Sequence, residues 1–193
     1  MEIEDIFGNL PQLETKRLIL RKMTLDDAQD LFEYASDPEE TKYTLWDYHK
    51  SIEDSIDFLK TAIQKYKNQD VSEWGLVYKE NNKFIGTCGY GWWRPAHNRA
   101  EIGYALARKY WNQGITTEAV NEVIKFGFEK MKLNRIEGTC LVENIASKRV
   151  LEKVGMTFEG ILREQLLVKG AYQDLRIYSI LRREYYGKNL RRG

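Results

Sequence analysis

The 193-residue sequence predicts a mixed α/β (α+β) fold, with about seven strands in one mixed sheet and about four helices on its faces. Three observations predict it. Stretches such as Arg17–Met23 alternate apolar and charged residues with a period of two, the mark of a half-buried strand. Stretches such as Ala119, Val120, Val123, Ile124, Gly127, Phe128 and Met131 place apolar residues on one helical face. The elements follow the order β α α β β β α β α β β. Hairpin-joined strands and β-α-β units therefore share one sheet, and that combination requires helices packed against it.

Each element has a local reason. In Arg17–Met23, Leu18 and Leu20 face inward against charged neighbours. Thr24 then suits an N-cap with Asp27 three residues on, an approximate capping box, and Leu25, Ala28, Leu31, Phe32 and Ala35 share a face. The next helix, Ser51–Lys67, carries the stripe Ile52, Ile56, Leu59 and Ile63. Ser72–Glu80 and Lys83–Trp93 read as strands joined through "ENNK", a hairpin signal, and Arg99–Ala107 follows the turn "RPAHN". After the central helix, Arg135–Leu141 is a strand. Asn144–Gly155 is a helix with Asn144 as N-cap and Gly155 just past its end. Two closing strands follow, with a turn at Lys169–Gly170.

Composition bounds the function. One domain spans residues 1–193, with a core over about 15–182 and a basic tail, 183–193, expected to be solvated. With 42% hydrophobic and 12% aromatic residues the chain can build a core. A formal charge of +1, with both signs interleaved, gives no argument for nucleic acid or an anionic membrane. Cys88 and Cys140 form no CxxC and no Cys/His cluster, so no metal site is expected; reduced, buried thiols fit a cytoplasmic protein. The acidic "MEIEDIFGNLPQLET" lacks the apolar core of a signal peptide, and no run approaches the roughly 20 apolar residues of a membrane helix.

The central helix opens unusually, with "YWNQGITTEA" (Tyr110–Ala119). Thr116 and Thr117 suit a first turn rather than a helix interior, and Gly114 lets a ligand approach the backbone. The N–H groups of Gln113 to Thr117, aided by the helix dipole, form an anion site, and the threonine hydroxyls add donors. No GxxxxGK[ST] and no GxGxxG occurs, so neither a Walker loop nor a dinucleotide fingerprint is present. By itself the pattern fits an ordinary loop-to-helix junction equally well.

"YWNQGITTEA" resembles the acetyl-CoA motif of the GCN5-related N-acetyltransferase (GNAT) superfamily, in the wording of its RimJ/RimL-like branch, which acetylates ribosomal protein N-termini. "NIASKRVLEKVGM" (Asn144–Met156) is similar to that family's second hallmark, an Asn-led helix ending in Gly and an aromatic. The resemblance runs from "ETKRLILRKM" to "YSILRREY" and agrees in strand order as well as spacing. Three positions depart from it: Thr116 stands where Gly or Ala is usual, Trp111 where Arg or Gln is usual, and Met156 where Phe is common.

The resemblance implies a GNAT fold, a mostly antiparallel twisted sheet with a V-shaped splay between the fourth strand (99–107) and the fifth (135–141). It implies acetyl-CoA as cosubstrate and no metal. Asn112, Gln113, Gly114, Ile115, Thr116 and Thr117 would hold the pyrophosphate; Leu106, with Ala107 beside it, would offer a backbone N–H to the thioester carbonyl; Asn144 and Ser147 would contact the pantetheine arm. Asn144 also suits a plain helix cap. Glu101, on the face it shares with Gly103 and Ala105, is the candidate base, against the alternative of a salt bridge to Arg99 or Arg135. The tyrosine that many relatives use to protonate the leaving thiolate is here Leu151. Cys88 and Cys140 raise an acetyl-cysteine route, with buried packing the favoured reading.

The acceptor should be a primary amine, a protein N-terminus or a small amine such as a polyamine or aminoglycoside. Trp46, Tyr48, Trp92 and Trp93 could wall its site, and Asp47 and Glu101 could attract its charge. The competing readings are a catalytically weak acyl-CoA-binding module and an interaction protein using its Trp-rich loops. Either a monomer or a homodimer is compatible with the sequence.

Overall fold

The computed structural model describes residues 1–189. Eight strands form one sheet in the order β1-β2-β3-β4-β5-β6-β8-β7. They are β1 (Leu13–Glu14), β2 (Leu18–Arg21), β3 (Glu73–Tyr78), β4 (Lys83–Arg94), β5 (Arg99–Leu106), β6 (Arg135–Leu141), β7 (Thr157–Val168) and β8 (Ala171–Leu181). Every neighbouring pair is antiparallel except β5 and β6, which are parallel because a helical crossover joins them. The helices are α1 (Ile3–Phe7), α2 (Ala28–Ala35), α3 (Ile52–Asn68), α4 (Ile115–Glu129), α5 (Ile145–Lys153) and α6 (Arg182–Asn189).

The expected β and α order is present, with additions at both ends. Residues before 15 belong to the core: Phe7 is fully buried and packs on Trp93, Leu10 is buried, and β1 pairs with β2. The basic tail is not simply solvated, because residues through Asn189 form α6, and the Tyr185 ring lies 4.9 Å from that of Phe128 on α4. The last four residues of that tail lie outside the described residues.

The buried line of α3 is rotated from the expected isoleucine stripe. It runs Ser55, Leu59, Ala62, Tyr66, with Ile52, Ile56 and Ile63 on its flanks. Polar bonds set this rotation. Tyr66 donates its hydroxyl to the Glu73 carbonyl (2.7 Å) and accepts from the Met23 N–H (3.2 Å), while Ser55 bonds buried His49 at 2.8 Å. The capping box at Thr24 and Asp27 is present, and Asp27 also receives both amino groups of Arg21, at 2.9 and 2.6 Å.

Two irregularities shape the centre of the sheet. The β5–β6 ladder pairs Arg99, Ala100, Glu101 and Ile102 with Arg135, Ile136, Glu137 and Gly138, and then stops. Both strands continue, to Leu106 and Leu141, so they diverge into a split. On β4, Tyr90 pairs with Ile102 and Trp92 with Glu101, leaving Gly91 as a bulge.

Candidate active site

The split is walled by β5 and β6, and Glu101 stands where it begins. The Trp92 indole N–H donates to Glu101 Oε2, and the Thr139 hydroxyl donates to Oε1 at 2.5 Å. Glu101 makes no ion pair among the described residues. Arg99 and Arg135 instead serve Glu137, at 3.1 and 2.8 Å, and Arg135 also clamps Glu159. The salt-bridge alternative for Glu101 is therefore not what these arginines do. Next along the same face, Gly103 has open space: a Cβ built on it meets nothing within 4 Å.

The edge of β5 that faces the split offers a backbone donor. The Ala107 N–H is bonded to the Ile85 carbonyl on β4 at 2.8 Å, so it is not available to a ligand. Strand alternation then turns the Leu106 N–H the other way, to the edge that β6 has left. Of this pair, Leu106 has the donor.

The turn that follows is built around Gly114. Asn112 and Gly114 both adopt left-handed backbone, φ 59° and 74°, which glycine takes without strain. Gly114 is the N-cap of α4, has no side chain to cap it, and a Cβ added there would approach only Arg17, at 3.8 Å. The N–H groups of the first turn of α4, from Ile115 to Thr117, therefore have no intrahelical acceptor. Asn112 and Gln113 are exposed beside them, Thr116 and Thr117 are half-buried, and Ile115 anchors the helix in the core. An anionic group fits this cradle by charge and by space.

Arg17 and Glu118 hold the turn. Glu118 accepts from the Thr15 hydroxyl (2.6 Å), the Arg17 N–H (2.8 Å) and Arg17 Nε (2.7 Å), while Arg17 Nη1 donates to the Gln113 carbonyl (2.9 Å). Burial raises the Glu118 carboxyl, but these hydrogen bonds outweigh it and hold the group below its ordinary value. Trp111 completes the turn by donating its indole N–H to the Leu106 carbonyl at 2.6 Å.

Helix α5 closes the other wall. Asn144 caps it, its Oδ1 accepting from the Ser147 N–H at 3.0 Å. The Tyr104 hydroxyl lies 2.8 Å from Ser147 Oγ and 3.2 Å from the Ser147 carbonyl. Leu151 is core: it is 1% exposed, and its Cδ2 lies 2.6 Å from where a Gly138 Cβ would stand. Both cysteines are buried, and burial pushes both thiols up, away from the reactive thiolate.

The four expected wall aromatics separate. Trp92 is at Glu101, with the Arg94 and Arg99 guanidinium groups 5.4 and 5.5 Å from its ring centre. Trp93 is not a wall residue; it is 5% exposed and packs on Phe7. Trp46, in the α2–α3 loop, makes tilted ring contacts with His49 of that loop and Phe58 of α3, and Tyr48 is exposed. Thr139, Tyr104, Arg17 and Glu118 join the site through contacts that the sequence pattern does not mark. Only Glu118, in the first turn of a helix beside an anion cradle, gives a local signal there.

Comparison with known proteins agrees with this geometry. Residues 17–157 match the family described as the acetyltransferase (GNAT) domain. The chain is 38% identical over 175 residues to "Uncharacterized N-acetyltransferase p20" of Bacillus licheniformis, covering 91% of this chain and 98% of that one. It is 30% identical over 104 residues to the ribosomal-protein-serine acetyltransferase of Escherichia coli, 54% of this chain and 58% of that one. A crystal structure of a GNAT-family acetyltransferase from Bacillus anthracis superposes with a TM-score of 0.79 at 31% identity, covering 90% of this chain and all of that one. A sheet split at its one parallel pair, an anion cradle beyond the split and a family match over most of the chain make this protein a member of the acetyl-CoA-dependent GNAT acetyltransferases.

Proposed function

We propose that this enzyme transfers the acetyl group of acetyl-CoA to the α-amine of a protein N-terminus. The observation that carries the reading is Glu101 at the start of the split, bonded by Trp92 and Thr139 and free of any ion pair among the described residues. Acetyl-CoA supplies an activated acyl group, a thioester carbonyl open to attack by an amine. In this reading Asn112, Gln113, Gly114, Ile115, Thr116 and Thr117 hold its pyrophosphate, and Asn144 and Ser147 line its pantetheine arm. The Leu106 N–H takes the charge that develops on the acetyl carbonyl oxygen, with Ala107 packed beside it. Such a donor is worth about 3 kcal/mol to a transition state. Glu101 accepts the proton of the incoming amine, directly or through one water.

The E. coli relative named a ribosomal-protein-serine acetyltransferase supports a protein as acceptor. Thermal unfolding with acetyl-CoA, and with dephospho-CoA, tests the cofactor part, since a ligand of the native state raises the midpoint by mass action. A peptide with a free N-terminus, a polyamine and an aminoglycoside, each assayed for thiol release, then test the acceptor. Peptide-dependent release supports the reading. Release with the small amines alone makes it a small-molecule acetyltransferase, and binding without release makes it an acyl-CoA-binding module.

A further inference from the structure

The face of the sheet that carries Glu101 also carries three arginines in one row. Trp92 on β4 pairs with Glu101 on β5, and Arg94 pairs with Arg99. On β6, Glu137 stands beside Glu101 and Arg135 beside Arg99. Cross-strand partners share a face, as do alternate residues of one strand, so all six side chains leave the sheet on the same side. They form two rows across three strands, Trp92–Glu101–Glu137 and Arg94–Arg99–Arg135.

Like charges set directly opposite each other in a sheet repel. Here the repulsion is relieved at one end of the row only. Glu137 Oε1 accepts from Arg99 at 3.1 Å and from Arg135 at 2.8 Å, and Arg135 also holds Glu159. Arg94 is exposed and has no carboxylate partner among the described residues. Its guanidinium and that of Arg99 lie 5.4 and 5.5 Å from the centre of the Trp92 ring, whose N–H goes to Glu101. Folding gains nothing from setting Arg94 opposite Arg99. An anion between them removes the repulsion, and a guanidinium offers paired N–H groups that fit a carboxylate.

We propose that Arg94 and Arg99 seat an anionic group of the acceptor, and that the preferred acceptor is a peptide whose second residue is aspartate or glutamate. The assignment rests on the acetyl-transfer reading above, with the amine at Glu101. Arg99 lies two residues before Glu101, a step of about 6.6 Å along the strand. A peptide advances about 3.5 Å per residue, so a side-chain carboxylate on its second residue stands about 7 Å from the α-amine. The cofactor turn lies past Leu106, at the other end of β5, so the thioester and the anion flank the amine from opposite directions. The charges alternate to match: the amine meets the Glu101 carboxylate, and the acidic side chain meets the two guanidinium groups. A polyamine would set a second cation against those same arginines.

Three peptides that differ only at the second residue (Glu, Gln or Lys) test this by thiol release at saturating acetyl-CoA. The intact enzyme should favour the Glu peptide over the Gln peptide by about fivefold in kcat/KM, with the Lys peptide lower still and the difference carried by KM. Arg94→Gln should shrink that ratio. Arg94→Glu, which faces Arg99 across the ladder and neutralises it, should bring the ratio to about one. Each variant removes a cross-strand repulsion, so both should melt no lower than the wild type, and a lost preference is then not a lost fold. Equal kcat/KM for the Glu and Gln peptides in the wild type would overturn the proposal, as would a Glu preference that survives Arg94→Glu. Failure of all three peptides to release thiol, with acetyl-CoA bound, would instead remove the protein-acceptor reading itself.

Discussion

The Trp92 indole reaches Glu101 only because Gly91 is bulged out of β4. In a regular antiparallel ladder Glu101 would face Gly91, which has no side chain, and Trp92 would turn to the other side of the sheet. The extra residue shifts the register by one, sets the tryptophan beside the carboxylate, and sends Trp93 inward onto Phe7.

Glu101→Gln should lower kcat by a factor of about 100 or more while acetyl-CoA affinity stays within twofold, since the carboxylate acts on the acceptor amine and not on the cofactor. Steady-state kinetics with isothermal titration of acetyl-CoA measures both. Unchanged turnover would remove Glu101 from the mechanism.

Gly114→Ala should cost about 1 kcal/mol of stability, because alanine is strained at φ 74° even though space is free there. It should also reduce the thermal shift that acetyl-CoA produces, since the cradle depends on this backbone. Melting curves with and without ligand separate the two effects.

The Arg135 guanidinium bonds Glu159 and, with the Ser179 hydroxyl, holds its carboxyl down to about 2. The group's folded-state value lies below its ordinary 4.5, so its stabilising contribution is complete above about pH 4.5 and is lost as pH falls toward 2. Glu159→Gln should therefore lower the melting temperature at pH 7 and converge with the wild type in acid. Solvent screening makes the difference small. A constant difference across pH would refute this linkage.

Burial protects both thiols, so native protein should react slowly with iodoacetamide at neutral pH, and Cys140→Ala should retain turnover. Mass spectrometry and a thiol-release assay check the two points. Loss of turnover with the fold intact would revive an acetyl-cysteine route.

What was legible in the sequence is what is local. The start of α4 after Gly114, the Asn144 cap and the Lys169–Gly170 turn each depend on adjacent residues, and they stand where the pattern puts them. Thr139 meets Glu101 through the parallel β5–β6 register, which is set by how α4 packs and not by any spacing in the chain. Trp92 and Trp93 read alike in the sequence because a bulge breaks the period-two rule without a signature of its own. The two-residue β1 and the five-residue α1 are too short for periodicity to register. In α3, tyrosine and serine hydrogen bonds overrule the isoleucine stripe.

The parallel seam has a consequence for how the molecule opens. Strands β1 to β5 come from the first part of the chain and β6 to β8 from the last, and the backbone ladder that joins these half-sheets is only four residue pairs long. Past Ile102 the amides of Tyr104 and Leu106 face no strand, so they are where hydrogen exchange should begin, well before β4 or β8 yields. An extended ligand lying in the seam would bridge the two halves as a missing strand would, and would slow exchange on both banks at once.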